Sequence, residues 1–169
     1  MTKKQIATEM LEVMVQDCAN DMIAVGIPVR ADRIYEINIR PIRGTRACVF
    51  FGTNLDDGLM SFSLCIHNKM LQNLDNAYAI ANIKNSIYHE LLHTCENCQS
   101  HNDEWMKWSK YCDEKLMTNT RLHLEEDVYY NADVAYVTYV CPVCGSKYLA
   151  SKEHSIINCS FCENSMHKN

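Results

Sequence analysis

This sequence has no segment apolar enough to span a membrane, no internal repeat and no low-complexity tract. Basic residues are in the minority, with 16 Lys and Arg against 21 Asp and Glu and a net charge of −5. The chain therefore lacks the overall basic signature of a nucleic-acid binder. Its start, Met1-Thr2-Lys3-Lys4-Gln5, runs into a mixed stretch holding Glu9, Glu12, Asp17 and Asp21. That pattern does not read as a signal peptide, and the expected location is cytoplasmic. What is present is ordinary for a globular protein: 47% hydrophobic and 22% charged residues. A chain of 169 residues can hold one substantial core and a small appendage. Ten cysteines are many, and six of them fall into Cys-x-x-Cys pairs: Cys95 with Cys98, Cys141 with Cys144, and Cys159 with Cys162. In a reducing compartment such pairs read as metal ligands before they read as disulfides.

The pattern of apolar residues predicts an α+β fold. Residues 3 to 25 read as a helix in which Ile6, Met10, Met14, Cys18 and Met22 recur every fourth position, joined by Ala7, Leu11 and Val15. Thr2 with Gln5 suits a capping box, and Gly26-Ile27-Pro28 is a stop signal. Three strands are expected over Arg33 to Arg40, Arg46 to Phe51 and Met60 to His67, forming a small antiparallel sheet. Asp75 can cap a second helix from about Asn76 to Thr94, with Ala77, Ile80, Ile83, Ile87, Leu91, Ala81 and Leu92 as its buried stripe. A third helix is expected from near Asn102 to about Met117, burying Trp105, Trp108, Tyr111 and Cys112. The character changes after Leu124, and Val134 to Val140 alternates like a strand. The expected organisation is a core over residues 1–122, a connecting segment over 123–137 and a small C-terminal unit over 138–169.

The chemistry concentrates in His89-Glu90-Leu91-Leu92-His93 at the end of the second helix. Two histidines four residues apart on a helix point the same way and can grip one zinc ion, and Glu90 is placed to take a proton from an attacking water. A hydrolytic zinc site usually takes three protein ligands and keeps a fourth position open. His101, eight residues past His93, is the leading third ligand because the chain must turn back across the helix end to present it. Glu104, Glu114, Glu125 and Glu126 are rivals, since some zinc hydrolases use a downstream carboxylate. The spacing excludes the His-x-x-Gly-x-x-His extension of metzincins. Cys95 faces away from such a site on a continued helix, Cys98 lies in the connecting loop, and both read better as buried thiols than as ligands or as a redox pair.

At the C-terminus, Cys141-Pro142-Val143-Cys144 and Cys159-Ser160-Phe161-Cys162 are separated by fourteen residues. Two such knuckles signal a zinc ribbon, in which four thiolates close a structural site. A piece of about thirty residues buries too little apolar surface to fold alone, so a metal there has a physical reason. His154 and His167 read as bystanders. Arg30, Arg33, Arg40, Arg43 and Arg46 make a positive run, ordinarily a solvated face, with phosphate contacts as the alternative.

Together these residues resemble the SprT-like zinc metallopeptidase family. The resemblance spans nearly the whole chain: the first helix, the Arg-rich strands around Ile39 to Phe51, the strand ending Cys65-Ile66-His67, the His89 to His93 motif, His101 followed by Trp105, and the cysteine ribbon. It implies a zincin-like core with one catalytic zinc on His89, His93 and His101, and Glu90 as the acid/base. It also implies a structural zinc on Cys141, Cys144, Cys159 and Cys162. The best-understood members cleave proteins linked to DNA, so DNA enters as a partner by resemblance and not by net charge. Asn102 stands where the family often has glycine, and Glu163 where a ribbon often has glycine; neither removes a ligand. The expected function is a zinc endopeptidase. The alternatives are a non-catalytic zinc scaffold or nucleic-acid or protein adaptor, and a hydrolase of a non-peptide amide.

Overall fold

The computed structural model describes residues 3–42, 46–54, 56–71, 74, 77–124, 137–143, 145, 147–150, 153, 155–158 and 164–168. Helix α1, Lys3–Ala24, buries Leu11, Val15, Cys18, Ala19 and Met22. The expected stripe is only half right, because Ile6 and Met10 are 42% and 37% exposed. A strict fourth-residue spacing drifts by about 40° per step around a helix of 3.6 residues per turn. Ile6 and Cys18 therefore lie on different sides, and the core takes the 11-15-18-19-22 set instead. The helix ends on Gly26 at φ 87, where Gly26 N–H donates to the Ile23 carbonyl at 2.9 Å and Ile27 N–H to that of Met22 at 2.9 Å. This paired closure needs a left-handed residue, which glycine adopts without strain. The capping partner Thr2 lies outside the described residues.

Strands β1 (Ile34–Arg40), β2 (Ala47–Thr53) and β3 (Met60–His67) form a sheet in the order β1-β3-β2. The expected all-antiparallel sheet is corrected here: β2 is antiparallel to β3, but β1 runs parallel to it. Strand β3 takes the centre because it is buried without a break from Phe62 to His67, whereas its neighbours carry the exposed Tyr35, Phe50 and Phe51. The turn between β2 and β3 closes locally: Asn54 Oδ1 accepts from Asp56 N–H and Asp57 Oδ1 from Leu59 N–H, both at 2.9 Å. Cross-strand rows Ile39-Ile66-Ala47 and Ile37-Leu64-Val49 face the helices. The opposite row includes Asn38, Cys65 and Cys48.

Helix α2, Ala77–Leu92, lays Ile83, Ile87 and Leu91 fully into the core, while Ala77 and Ala81 of the expected stripe are exposed. Asp75 and Asn76 lie outside the described residues. Tyr88 reaches from α2 to α1, its hydroxyl donating to Asp21 at 2.8 Å. Helix α3, Asp103–Leu116, buries Trp105 and Cys112 and packs Trp108 and Tyr111 at the margin of the core. Asn102 is its N-cap: the Oδ1 accepts from Trp105 N–H at 3.0 Å, while the Nδ2 donates to the Asn97 carbonyl at 2.7 Å. Replacing Asn102 with alanine is expected to cost about 1 kcal/mol, read as a lower urea midpoint at unchanged slope.

Strands β4 (Leu122–Leu124), β5 (Val137–Val140), β6 (Lys147–Ala150) and β7 (His167–Lys168) form a second sheet in the order β4-β6-β5-β7. Within it β4 is parallel to β6 and the other pairs are antiparallel. The chain thus leaves α3 and enters the C-terminal sheet within a few residues. Among the described residues no helix is long and apolar enough to cross a membrane.

Candidate metal centre

Helix α2 does not carry both motif histidines as regular helix. It ends at Leu92, and the following turns tighten: His93 N–H donates to Glu90 O at 3.1 Å, Thr94 N–H to Leu91 O at 2.9 Å and Cys95 N–H to Leu92 O at 3.1 Å. Such three-residue closures satisfy carbonyls that would otherwise be stranded at a buried helix end. Thr94 adds a bond from its hydroxyl to Leu91 O at 2.7 Å, and its Oγ1 accepts from Arg30 N–H at 3.0 Å. The chain then turns through Asn97, at φ 58, and returns to present His101 just ahead of α3.

His89, His93 and His101 converge, each offering a ring nitrogen within 4.8 Å of the others. Among the described residues they are the one group of three or more His, Cys, Asp or Glu side chains close enough to share an ion. His89 Nδ1 lies 2.8 Å from the Thr120 carbonyl, and His93 Nδ1 lies 2.7 Å from that of Cys98. A carbonyl only accepts, so Nδ1 carries the proton in both rings and Nε2 carries the lone pair. His101 Nε2 sits 3.0 Å from His89 Nε2. That is close to the edge of about 3.3 Å expected between nitrogens around a tetrahedral zinc with bonds of about 2.0–2.1 Å. The donor set therefore fits a metal ion. His93 is 8% exposed, His89 is half-buried and His101 is open to solvent, which gives the cluster one wet side.

Burial lowers the pKa of His93, and burial with the nearby charge of His93 brings His101 down to about 4. Both rings are thus neutral at neutral pH, the form a metal requires. Trp105, fully buried, floors the cluster. Its ring stacks on His93 at 5.5 Å between centroids and meets His101 and His89 at 4.5 and 4.8 Å.

Glu90 is 6% exposed and faces strand β2 at the sheet edge, where its carboxyl accepts the Val49 N–H. Burial pushes its pKa up to about 8, against the charge of Arg46 and the Val49 bond, which both pull it down.

The rival ligands do not join the group. Glu104 pairs with Lys107 Nζ at 3.0 Å, and Glu114 lines a separate cleft of about 250 Å³ beside Lys110 and Arg121. Glu125 and Glu126 lie outside the described residues. Cys95 and Cys98 are both fully buried, and Cys98 serves His93 through its carbonyl and not its sulfur. Burial pushes the Cys95 thiol up to about 12, which keeps it protonated. Of the four cysteines in the two C-terminal Cys-x-x-Cys pairs, Cys141 is buried beside β5, whereas Cys144, Cys159 and Cys162 lie outside the described residues, as does His154; His167 is exposed on β7. The arginine run is not one face. Arg33 pairs with Asp57 and Asp32, Arg40 donates from Nε to Cys65 Sγ at 3.3 Å, and Arg43 lies outside the described residues.

The carbonyls of Thr120 and Cys98 were not foreseeable from motif spacing. One faint signal existed: Asp113 sits near the C-terminal end of α3, where its charge opposes the helix dipole, so a tertiary partner is expected. Its carboxylate in fact holds the Thr120 loop.

Comparison with protein-family models, curated proteins and solved structures found no match.

Proposed function

We propose that this chain is a zinc-dependent endopeptidase with a zincin-like core, of the SprT-like kind that its motifs resemble. The observation that carries the reading is a three-histidine cluster with an open side, beside whose first member in sequence stands a buried glutamate, Glu90. A structural zinc site is normally closed by four protein ligands and has no use for a general base among them. Three gathered imidazoles with a wet side, and a buried glutamate next in sequence to the first, suit hydrolysis better than scaffolding.

His89, His93 and His101 would hold the ion. Zinc bound there lowers the pKa of water to about 7 and polarises a carbonyl. In the metal-free protein burial holds Glu90 at a pKa of about 8, and the charge of a bound cation would lower it to the carboxylate that takes the proton from the attacking water and returns it to the departing amine. The Val49 N–H holds the carboxylate in place, and the two carbonyl-anchored imidazoles keep their lone pairs aimed at one point. Cys141, Cys144, Cys159 and Cys162 are assigned to a second, structural zinc, and the substrates are proteins, with DNA-associated ones as the class the resemblance suggests.

Metal analysis is expected to return two zinc ions per chain and one after His93→Ala. Stripping the first ion with a chelator is expected to abolish cleavage of mixed unfolded proteins, and zinc is expected to restore it. Cleavage that persists in His93→Ala would sink the reading. Running the assay with and without single-stranded DNA tests the DNA-associated class; equal rates argue against it.

A further inference from the structure

The loop between α3 and β4 meets the histidine cluster through the Thr120 carbonyl, which accepts from His89 Nδ1. That carbonyl is held by an unusual concentration of bonds. Asp113 Oδ1 accepts from Thr120 N–H at 2.7 Å, from Thr120 Oγ1 at 3.0 Å and from Thr118 Oγ1 at 2.8 Å. Its Oδ2 accepts from Arg121 Nε at 3.3 Å, in a pair whose side chains are only 16% and 15% exposed. The Thr120 hydroxyl also meets the Ser109 hydroxyl at 2.7 Å, both residues being buried. On the other side, Asn119 N–H donates to Asn85 Oδ1 at 3.0 Å, one helical turn before His89.

One carboxylate thus gathers Thr118, Thr120 and Arg121 around itself. The loop needs this, because Met117 turns the chain through a left-handed residue, φ 53, and regular helix bonding stops there. Charge-assisted bonds to a half-buried carboxylate are roughly twice as strong as neutral ones. They restrain where the Thr120 peptide points.

We infer that Asp113 is a positioning residue for the metal centre, fixing the His89 imidazole through the Thr120 carbonyl. This rests on the metal-site reading of His89, His93 and His101 given above. Asp113 touches neither metal nor substrate. It acts by holding the acceptor that sets the tautomer and tilt of His89. Groups bonded directly to a ligating histidine, as the Thr120 carbonyl is, are worth about 10–100-fold in metal affinity, and Asp113 stands one step behind that carbonyl.

The test is zinc affinity, measured by competition with a chromophoric chelator and counted as the zinc that His93→Ala abolishes. Asp113→Asn keeps the shape and a weak acceptor but loses the charge, and is expected to weaken that zinc by about 10-fold, the low end of that range. The spectrum of cobalt(II) at the same site is expected to shift, because one ligand changes orientation. Leu11→Ala, a core variant on α1 away from the loop, supplies a destabilised reference. Affinity for Asp113→Asn within about twofold of wild type overturns the inference. So does a weakening no larger than that of Leu11→Ala with an unchanged cobalt spectrum. Thr120→Ser, which retains the hydroxyl and carbonyl, is expected to bind like wild type; a comparable loss there would assign the effect to loop packing and also overturn it. If wild type itself shows no His93-dependent zinc, the metal-site reading fails and takes this inference with it. If wild type binds and Asp113→Asn binds equally, only this inference fails.

Discussion

Replacing Glu90 with glutamine is expected to leave zinc bound and to lower peptide hydrolysis by about 10²–10⁴-fold, the usual contribution of a positioned acid/base. Glutamine has the same shape and can still accept the Val49 N–H through its amide oxygen. It cannot take a proton from water at neutral pH. Burial disfavours the Glu90 charge, so losing that charge offsets the lost attraction to Arg46 and the fold is expected to weaken little. Activity and metal content should therefore separate in this variant. The measurement is the initial rate of cleavage of an unfolded protein at matched zinc content, with urea unfolding as the fold control. Wild-type rates in Glu90→Gln would remove the glutamate from the mechanism and favour a scaffold.

Trp105 carries the second large effect. Its side chain is fully buried beneath all three histidine rings, stacked on His93 and edge-on to His101. Truncation to alanine is expected to cost about 3–5 kcal/mol of stability, as for large aromatic side chains removed from packed cores. The cavity would lie directly under the ligands, so the rings gain freedom to tilt and zinc affinity falls as well. Trp105→Phe retains most of the apolar volume and is expected to fall between the two. Urea denaturation of the metal-free protein separates packing from metal linkage, because bound zinc adds its own stabilisation to the folded state. A loss under about 1 kcal/mol in the metal-free Trp105→Ala protein would show that the floor contributes little.

The two effects are carried by different links in the chain from sequence to function. Glu90 acts through chemistry at its carboxyl, and the amide keeps its shape. Trp105 acts through shape, and both folding and ligand placement depend on it. The interaction of α3 with the metal centre is accordingly double: Trp105 supports the rings from below, while Asp113, two turns further on, steadies the loop behind His89.

Much of this was legible in the residues alone. A His-Glu-x-x-His on a helix places two imidazoles on one side because the helix repeats every 3.6 residues. The structure brings His101 to the same point. Strand positions were readable from β-branched and aromatic clusters, and Asn102 declared the start of α3. Pairing was not. The parallel partnership of β1 with β3 depends on which strand is buried on both sides, and that is settled when all three compete for the same helices. The drift of the α1 stripe away from Ile6 and Met10 has a similar origin, since only tertiary contact decides how far along a helix the core extends.

By itself, then, the sequence determined the local elements, the α+β character and the residues able to meet a metal ion, all of which follow from short-range periodicity and side-chain chemistry. Only the tertiary structure decided which atoms steady those ligands. The carbonyls of Thr120 and Cys98 and the amide of Val49 belong to backbone that every residue possesses, so no residue type announces them. Their roles arise from the path of the chain, and that path is fixed by packing around α2.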